Sequence, residues 1–358
     1  MVPDRPSMSS WPAGLDDRMK VADRRADLDG RWSEELWSTL ADAGHSRWAL
    51  PTDLGGPGWD RLALLNQYER LAQSSLVAAF VLTQHDAAVR RLVASATTAA
   101  RDLLDRVADR SAFVTVGLSQ LTTSRRLGAQ ALVARPGASG TFVLDGAMPW
   151  VTAAGRADAV VAGAVLEDGR QLMAIVRRSS EGLTVAEPFR LMALGASETT
   201  EVRCQGVVVR PEDMLAGPSP DVMATPGHGG TGGLETSALA IGQARAALDG
   251  LAVEAAQRAD LAEPLAALEV TWAEVRSCLE AAALGQPGAP AAAGVRGRAN
   301  ALVLAATQAY LTSRRGSGFL LDEPAQQWAR QALFFLVWSC PSPVAQAALR
   351  DFAGLCPA

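Results

Sequence analysis

The chain has 358 residues, a hydrophobic fraction of 49% and a formal net charge of -5. That length leaves room for two or three domains and an ample core, and so mild a negative charge speaks against a nucleic-acid partner. No apolar run reaches the length of a membrane span, and Asp4, Arg5 and Asp16 interrupt any signal peptide, so a cytoplasmic protein with no membrane partner is expected. The four cysteines, Cys204, Cys278, Cys340 and Cys356, are widely spaced with no C-x-x-C pair. They read as reduced thiols, and no metal site is expected.

In chain order, residues 1–12 carry Pro3, Pro6 and Pro12 and read as a loose tail. Helical patterning starts near Leu15 and continues to Ala43, with Gly44 as its stop. A loop follows, Leu54-Gly55-Gly56-Pro57-Gly58. Asp60 then caps a helix bearing Leu62, Leu65, Tyr68 and Leu71, Ser75 starts another through His85 to Leu92, and a third begins near Thr97. Residues 13–110 are therefore expected to be an all-helical domain.

The next stretch, residues 111–218, reads as β-strand. Thr141 to Gly146 looks like a short strand ending in an Asp-Gly turn, and Ala159 to Leu166 is a buried, β-branched run. Asp168-Gly169 closes a hairpin into Gln171 to Val176. Leu183-Thr184-Val185, Thr200 to Cys204 and Gly206 to Pro211 follow. Short strands with regular turns and no helix between them predict an antiparallel barrel or sandwich. Residues 231–358 return to helix. One runs from Leu234 to about Ala259 with small residues at Ala238, Gly242, Ala246 and Gly250, and others span about 265–284 and 295–314. Asp322 caps one more, with Pro324 in its first turn, and the last covers Val344 to Phe352. The expected fold is α+β: helices, a small β-domain, then a helical bundle.

Three segments in this order resemble the acyl-CoA dehydrogenase family. Ala49-Leu50-Pro51 with Gly55-Gly56-Pro57-Gly58 is similar to its early "P…GGxG" loop. Met148 to Asp158, containing Trp150-Val151-Thr152, is similar to its "K-x-W-I-T-N-x-x-x-A-D" segment. Leu194 to Thr199 with Val207 to Leu215 is similar to its "G…S-x-T…V-x-V-P-x-E-N-x-L" run. The resemblance implies an FAD-dependent oxidoreductase (FMN being the other candidate flavin) acting on an acyl thioester or related small molecule. By position, Trp150 would pack against the flavin and Thr152 would bond near its reactive nitrogen. Ser119, Thr122 and Ser124 stand where the family carries a flavin-contacting "T-E-P-x-A-G-S-D" loop, whose Glu, Pro, Gly and Asp are missing here. Arg258 matches the arginine of an "R-x-x-F-G" segment, but Leu261 and Ala262 replace its Phe and Gly. Arg315 replaces a glycine of "Q-x-x-G-G-x-G".

The largest departure concerns the base. The family's usual glutamate removes a proton from the acyl group, and alignment on Gly318-Phe319, Pro324 and Arg330 puts Ser339 at its position, after Trp338. A serine without a partner is no general base. Some members carry the glutamate on the first long C-terminal helix, where Glu235 is the one local candidate for a catalytic residue. His45 and His85 read as structural, and His228 sits in a glycine loop. Two further readings stay open: a reduced-flavin-dependent monooxygenase of the same fold, and a non-catalytic member acting as a binding or scaffold subunit. The resemblance also implies a homodimer or homotetramer and an electron-transfer or reductase partner.

Overall fold

The structure is a computed structural model that describes residues 11–122, 132–224 and 233–355. Five helices open the chain: α1 (Leu15–Asp29), α2 (Glu34–Asp42), α3 (Arg61–Ser74), α4 (Leu76–Val93) and α5 (Thr98–Ala108). The single helix expected from Leu15 to Ala43 is two. Gly30, at φ 61°, ends α1, and the Ser33 hydroxyl restarts the chain by accepting the Leu36 amide at 3.1 Å. A stop glycine followed by an N-cap outweighs the continuous apolar pattern across them. The Asp60 cap falls where the sequence puts it, and the helix starts expected at Ser75 and Thr97 are N-caps as well. Asp60 accepts from the Ala63 amide at 2.8 Å, Ser75 from Ala78 at 3.1 Å and Thr97 from Ala100 at 3.3 Å.

Eight strands follow: β1 (Val114–Gly117), β2 (Val133–Pro136), β3 (Phe142–Val151), β4 (Ala159–Val165), β5 (Gln171–Arg177), β6 (Leu183–Val185), β7 (Thr200–Val209) and β8 (Met214–Ser219). They form one sheet in the order β6-β7-β3-β2-β4-β5-β8, with β1 paired to β4. The sheet is mixed rather than wholly antiparallel, because β1 runs parallel to β4 in the register Val114↔Ala159. The chain between them makes β2 and β3 first, which supplies the long crossover a parallel pair needs. Asp145-Gly146 is not a turn. It lies inside β3 at a bulge against β7, with Gly146 at φ 120° and the Asp145 carboxylate accepting from the Gly206 amide at 2.8 Å. A bulge asks for the same glycine backbone as a tight turn, so the local signal was shared by both. Asp168-Gly169 does close the β4–β5 hairpin, with Gly169 at φ 85°.

The C-terminal helices are α6 (Leu234–Ala255), α7 (Ala262–Ala283), α8 (Ala292–Arg314), α9 (Pro324–Ala332), the short α10 (Phe334–Val337) and α11 (Ser342–Phe352). The small residues of α6 allow close crossings: a Cβ on Gly242 would lie 2.0 Å from the Glu69 carbonyl oxygen of α3, and one on Gly250 2.7 Å from the Tyr310 ring of α8. Asp322 does not cap α9. Glu323 holds the N-cap position without a cap bond, its carboxylate drawn to Arg314 at 3.1 Å, and Gln326 instead covers the Leu321 and Glu323 carbonyls at 2.8 and 3.2 Å. One apolar core joins the N-terminal and C-terminal helices, and the sheet buries a face against α4 and α5. Between these layers, the chain from residue 186 to 199 leaves the sheet, meets α9 and returns.

Candidate functional site

Where the ends of β3 and β7 face α9 and α10, the chain leaves a cavity of about 530 Å³. From the sheet side it is lined by Ser119, Trp150 and Thr199, and from the helical side by Phe80, Phe334, Trp338 and Ser339. Leu191 to Leu194 and Leu333, Leu336 and Val337 make the rest apolar, and no carboxylate lines it among the described residues. Arg330 stands at the edge, but its charge is spent within the protein. It pairs with Asp27 of α1 and donates to the Met192 carbonyl at 2.6 Å, which fixes the 186–199 segment to α9.

The sheet wall is held by hydroxyls. Ser197 and Thr199 bond at 2.8 Å, Thr199 and Thr152 at 3.2 Å, and Thr115 donates to the Thr152 carbonyl at 2.9 Å. All four are buried. Glu198, at φ 43°, sits between the first two. It accepts from the Trp32 amide at 3.3 Å and the Arg156 guanidinium at 3.1 Å, which keeps the strained turn in place. Trp150, which lines the cavity, remains 42% exposed with its ring edge-on to Phe189 at 4.9 Å. The buried Ser119 hydroxyl has no partner among the described residues. An unpaired buried hydroxyl in a cavity wall is the group a ligand would be expected to satisfy.

The helical wall is aromatic. Trp338 stacks on Phe334 at 5.5 Å and stands edge-on to Phe80 at 4.7 Å and to Trp150 at 6.4 Å. Ser339 follows in a left-handed conformation at φ 43°.

Of the residues singled out in the sequence, the cavity thus gathers Ser119, Trp150 and Ser339, with Thr152 one hydroxyl behind Thr199. Thr122 lies next to this group and donates to the Ser119 carbonyl at 3.3 Å. Ser124 and His228 fall outside the described residues. Arg258 is elsewhere, bonded to the Ser313 carbonyl at 2.7 Å and to Asp260 at 3.0 Å. Glu235, in the first turn of α6, pairs with Arg90 at 3.6 Å and is not among the residues that line the cavity. His85 is buried with Nδ1 at 2.9 Å from the Val114 carbonyl and its ring stacked on Phe113, and burial lowers its pKa to about 4. Phe80 and Arg330 were missed as lining residues. Phe80 had no local signal, and Arg330 was visible only as a motif position.

Comparison with known proteins agrees with this layout. The profile for the acyl-CoA dehydrogenase N-terminal domain matches residues 15–109. Probable acyl-CoA dehydrogenase FadE25 of Mycobacterium tuberculosis is 24% identical over 347 residues, covering 87% of this chain and 86% of its own. The chain is thus similar to acyl-CoA dehydrogenases, in its N-terminal helices by the family profile and at low identity over most of its length. Probable acyl-CoA dehydrogenase YngJ of Bacillus subtilis is 29% identical over 133 residues, a match that spans 36% of this chain and 35% of YngJ. Butyryl-CoA dehydrogenase from Megasphaera elsdenii shares the fold at a TM-score of 0.82 and 20% identity, over 99% of each chain. A nitrososynthase from Micromonospora carbonacea does so at 0.75 and 21%, over 99% of this chain and 98% of its own. Ser339, which the sequence resemblance would set at the usual glutamate, lines the cavity, and Arg315, expected in place of a glycine, has φ 53°.

Proposed function

We propose that the cavity holds the ring system of FAD and that the protein is a flavin-dependent oxidoreductase of the acyl-CoA dehydrogenase superfamily acting on an apolar acyl thioester or related small molecule. The observation that carries this reading is the meeting of Ser119, Trp150 and Thr199 with Trp338 and Ser339 around one cavity. The residues fit the group: a flat ring needs apolar faces, here the indole of Trp150, and its polar edge needs donors, here the Ser119 hydroxyl, unpartnered among the described residues, and Thr199. When bound, flavin supplies two-electron redox chemistry. The protein's own part is to orient the ring on the sheet wall and to exclude water with Leu191 to Leu194, Phe334 and Trp338. The substrate would meet apolar surface almost throughout.

The lining favours a reaction that takes no proton onto a carboxylate at position 339. Ser339 has no basic partner among the described residues, and Glu235 would have to leave Arg90 to serve as the base. That supports, as a second reading, oxygen-dependent chemistry with reduced flavin from a separate reductase. The fold is shared with a nitrososynthase as well as with dehydrogenases.

The test is the visible spectrum of the purified protein before and after adding FAD, then FMN. A bound-flavin spectrum that bleaches anaerobically with an acyl-CoA, and stops doing so in Glu235→Gln, supports the dehydrogenase chemistry with that base. Bound flavin that ignores acyl-CoA but turns over with oxygen and a reductase supports the second reading. Ser339→Glu would then be expected to create acyl-CoA bleaching where there was none. No uptake of either flavin overturns the proposal and leaves a binding or scaffold role.

A further inference from the structure

Arg296, on α8, is the largest fully buried side chain among the described residues, at 0% exposure, and no carboxylate pairs with it there. Burial lowers its pKa to about 10, so it stays charged at neutral pH. Its Nε donates to Asn300 at 2.8 Å, and one Nη2 donates to two carbonyls at once, Phe335 and Trp338, each at 3.0 Å. Nη1 has no partner. Asn300 adds a second donor to the Phe335 carbonyl at 2.9 Å.

These carbonyls belong to the turn that ends α10. The helix has only four residues, Phe334–Val337, and the chain reverses at Ser339 before Pro341, which has no N–H to offer. The carbonyls at a helix end need donors from outside, and here the donors come from α8. A buried cation with no counter-ion is costly, so its presence marks a position that something else over-determines. What it touches is the backbone that aims the Trp338 indole at Phe80 and Trp150 and turns Ser339 into the cavity.

We propose that Arg296 is the positioning residue of the cavity's helical wall, holding Trp338 and Ser339 in place from behind by bridging the Phe335 and Trp338 carbonyls. The flavin reading above enters only through the second of the two measurements that follow.

The first measurement is 19F NMR of the protein labelled with 5-fluorotryptophan, in which the resonance absent from Trp338→Phe identifies Trp338 among the nine tryptophans. In Arg296→Met that one resonance should shift or broaden while the others hold. In Arg296→Lys, whose ammonium can still donate to both carbonyls, it should stay. The second is FAD titration, where Arg296→Met should bind roughly tenfold more weakly or worse and Arg296→Lys close to wild type. An Arg296→Met protein that is folded, keeps the Trp338 resonance and keeps FAD affinity would show a residue that only fills the core, and would overturn the proposal. If Arg296→Met does not fold, Arg296→Gln, too short to reach both carbonyls, is read in the same way. If the wild type takes up no flavin, the flavin reading falls and the Trp338 resonance alone decides the role of Arg296.

Discussion

The two walls of the cavity are built from different physics. The sheet wall is a set of buried hydroxyls, Thr115, Thr152, Ser197 and Thr199, each bonded to a neighbour or a carbonyl. The helical wall is a short aromatic turn propped by an unpaired guanidinium, with Ser339 left-handed at its tip. The sheet wall offers the hydroxyls and indole that the flavin proposed above would use, whereas the helical wall brings no carboxylate to the cavity among the described residues. A neutral hydroxyl network is cheap to retain, while a buried carboxylate needs support from everything around it.

The core around the walls holds buried groups that titrate in opposite senses, and this gives the largest expected effect. Behind the sheet wall, neutral His85 serves the Val114 carbonyl, and burial lowers its pKa from 6.5 to about 4; His45 is lowered to about 4 as well. The unfolded state binds more protons on these rings between pH 4 and 6.5, so their contribution to stability rises with pH through that window. Behind the helical wall, Asp23 accepts from Ser75 and from Gln327 of α9 at 2.7 Å, and burial raises its pKa from 3.8 to about 7; elsewhere in the helical core, on α4, Asp86, bonded to Tyr68, is raised to about 7 too. There the folded state binds more protons between pH 4 and 7, so stability falls as pH rises. Each shift is worth on the order of 3–4 kcal/mol at full extent. The wild type should therefore change little in urea midpoint from pH 4 to 7. Asp23→Asn, which Gln327 can accommodate by turning its amide over, should become steadily more stable as pH rises to 6.5. His85→Gln should tilt the other way. Equal slopes in all three proteins would mean that these groups do not set the balance.

Two substitutions separate the walls at fixed pH. Trp338→Ala removes the ring that meets Phe334, Phe80 and Trp150 and should cost about 2–3 kcal/mol in urea unfolding, less than a fully buried tryptophan because this one is half-buried. It should also widen the cavity enough to take bulkier apolar ligands. Thr199→Val keeps the shape of the sheet wall but strands the Ser197 and Thr152 hydroxyls on either side, at about 2 kcal/mol. If Thr199→Val proves the more damaging of the two, the helical wall is the softer one and the comparison reverses.

How much of this was legible depended on how local the cause was. The cap at Asp60 and the helix starts at Ser75 and Thr97 have causes within one helical turn, and the sequence places all three. The Asp145-Gly146 bulge was misread because its deciding partner, Gly206, is distant in sequence, and the start of α9 because Glu323, drawn to Arg314, holds the N-cap position in place of Asp322. Within the site, Trp150 and Ser339 were visible through motif positions. Arg296 was not, since nothing in an alanine-rich helix marks which arginine will be buried until α10 is folded against it. Phe80 likewise looks like any core residue of α4.

The smallest expected effect bears on the tip of the helical wall. Ser339 holds φ 43° with a Cβ, a conformation that costs an ordinary residue about 1–2 kcal/mol and glycine almost nothing. Ser339→Gly removes that strain but gives the unfolded chain more freedom, so the net gain should be only about 0.5–1 kcal/mol. The sign is the informative part. A gain, with the Trp338 fluorine resonance unmoved, means that the turn is imposed from behind by the guanidinium on the Trp338 carbonyl and that serine is tolerated there at a cost. A loss means that the serine hydroxyl makes a bond worth more than the strain, and the tip of this wall would then have polar work of its own.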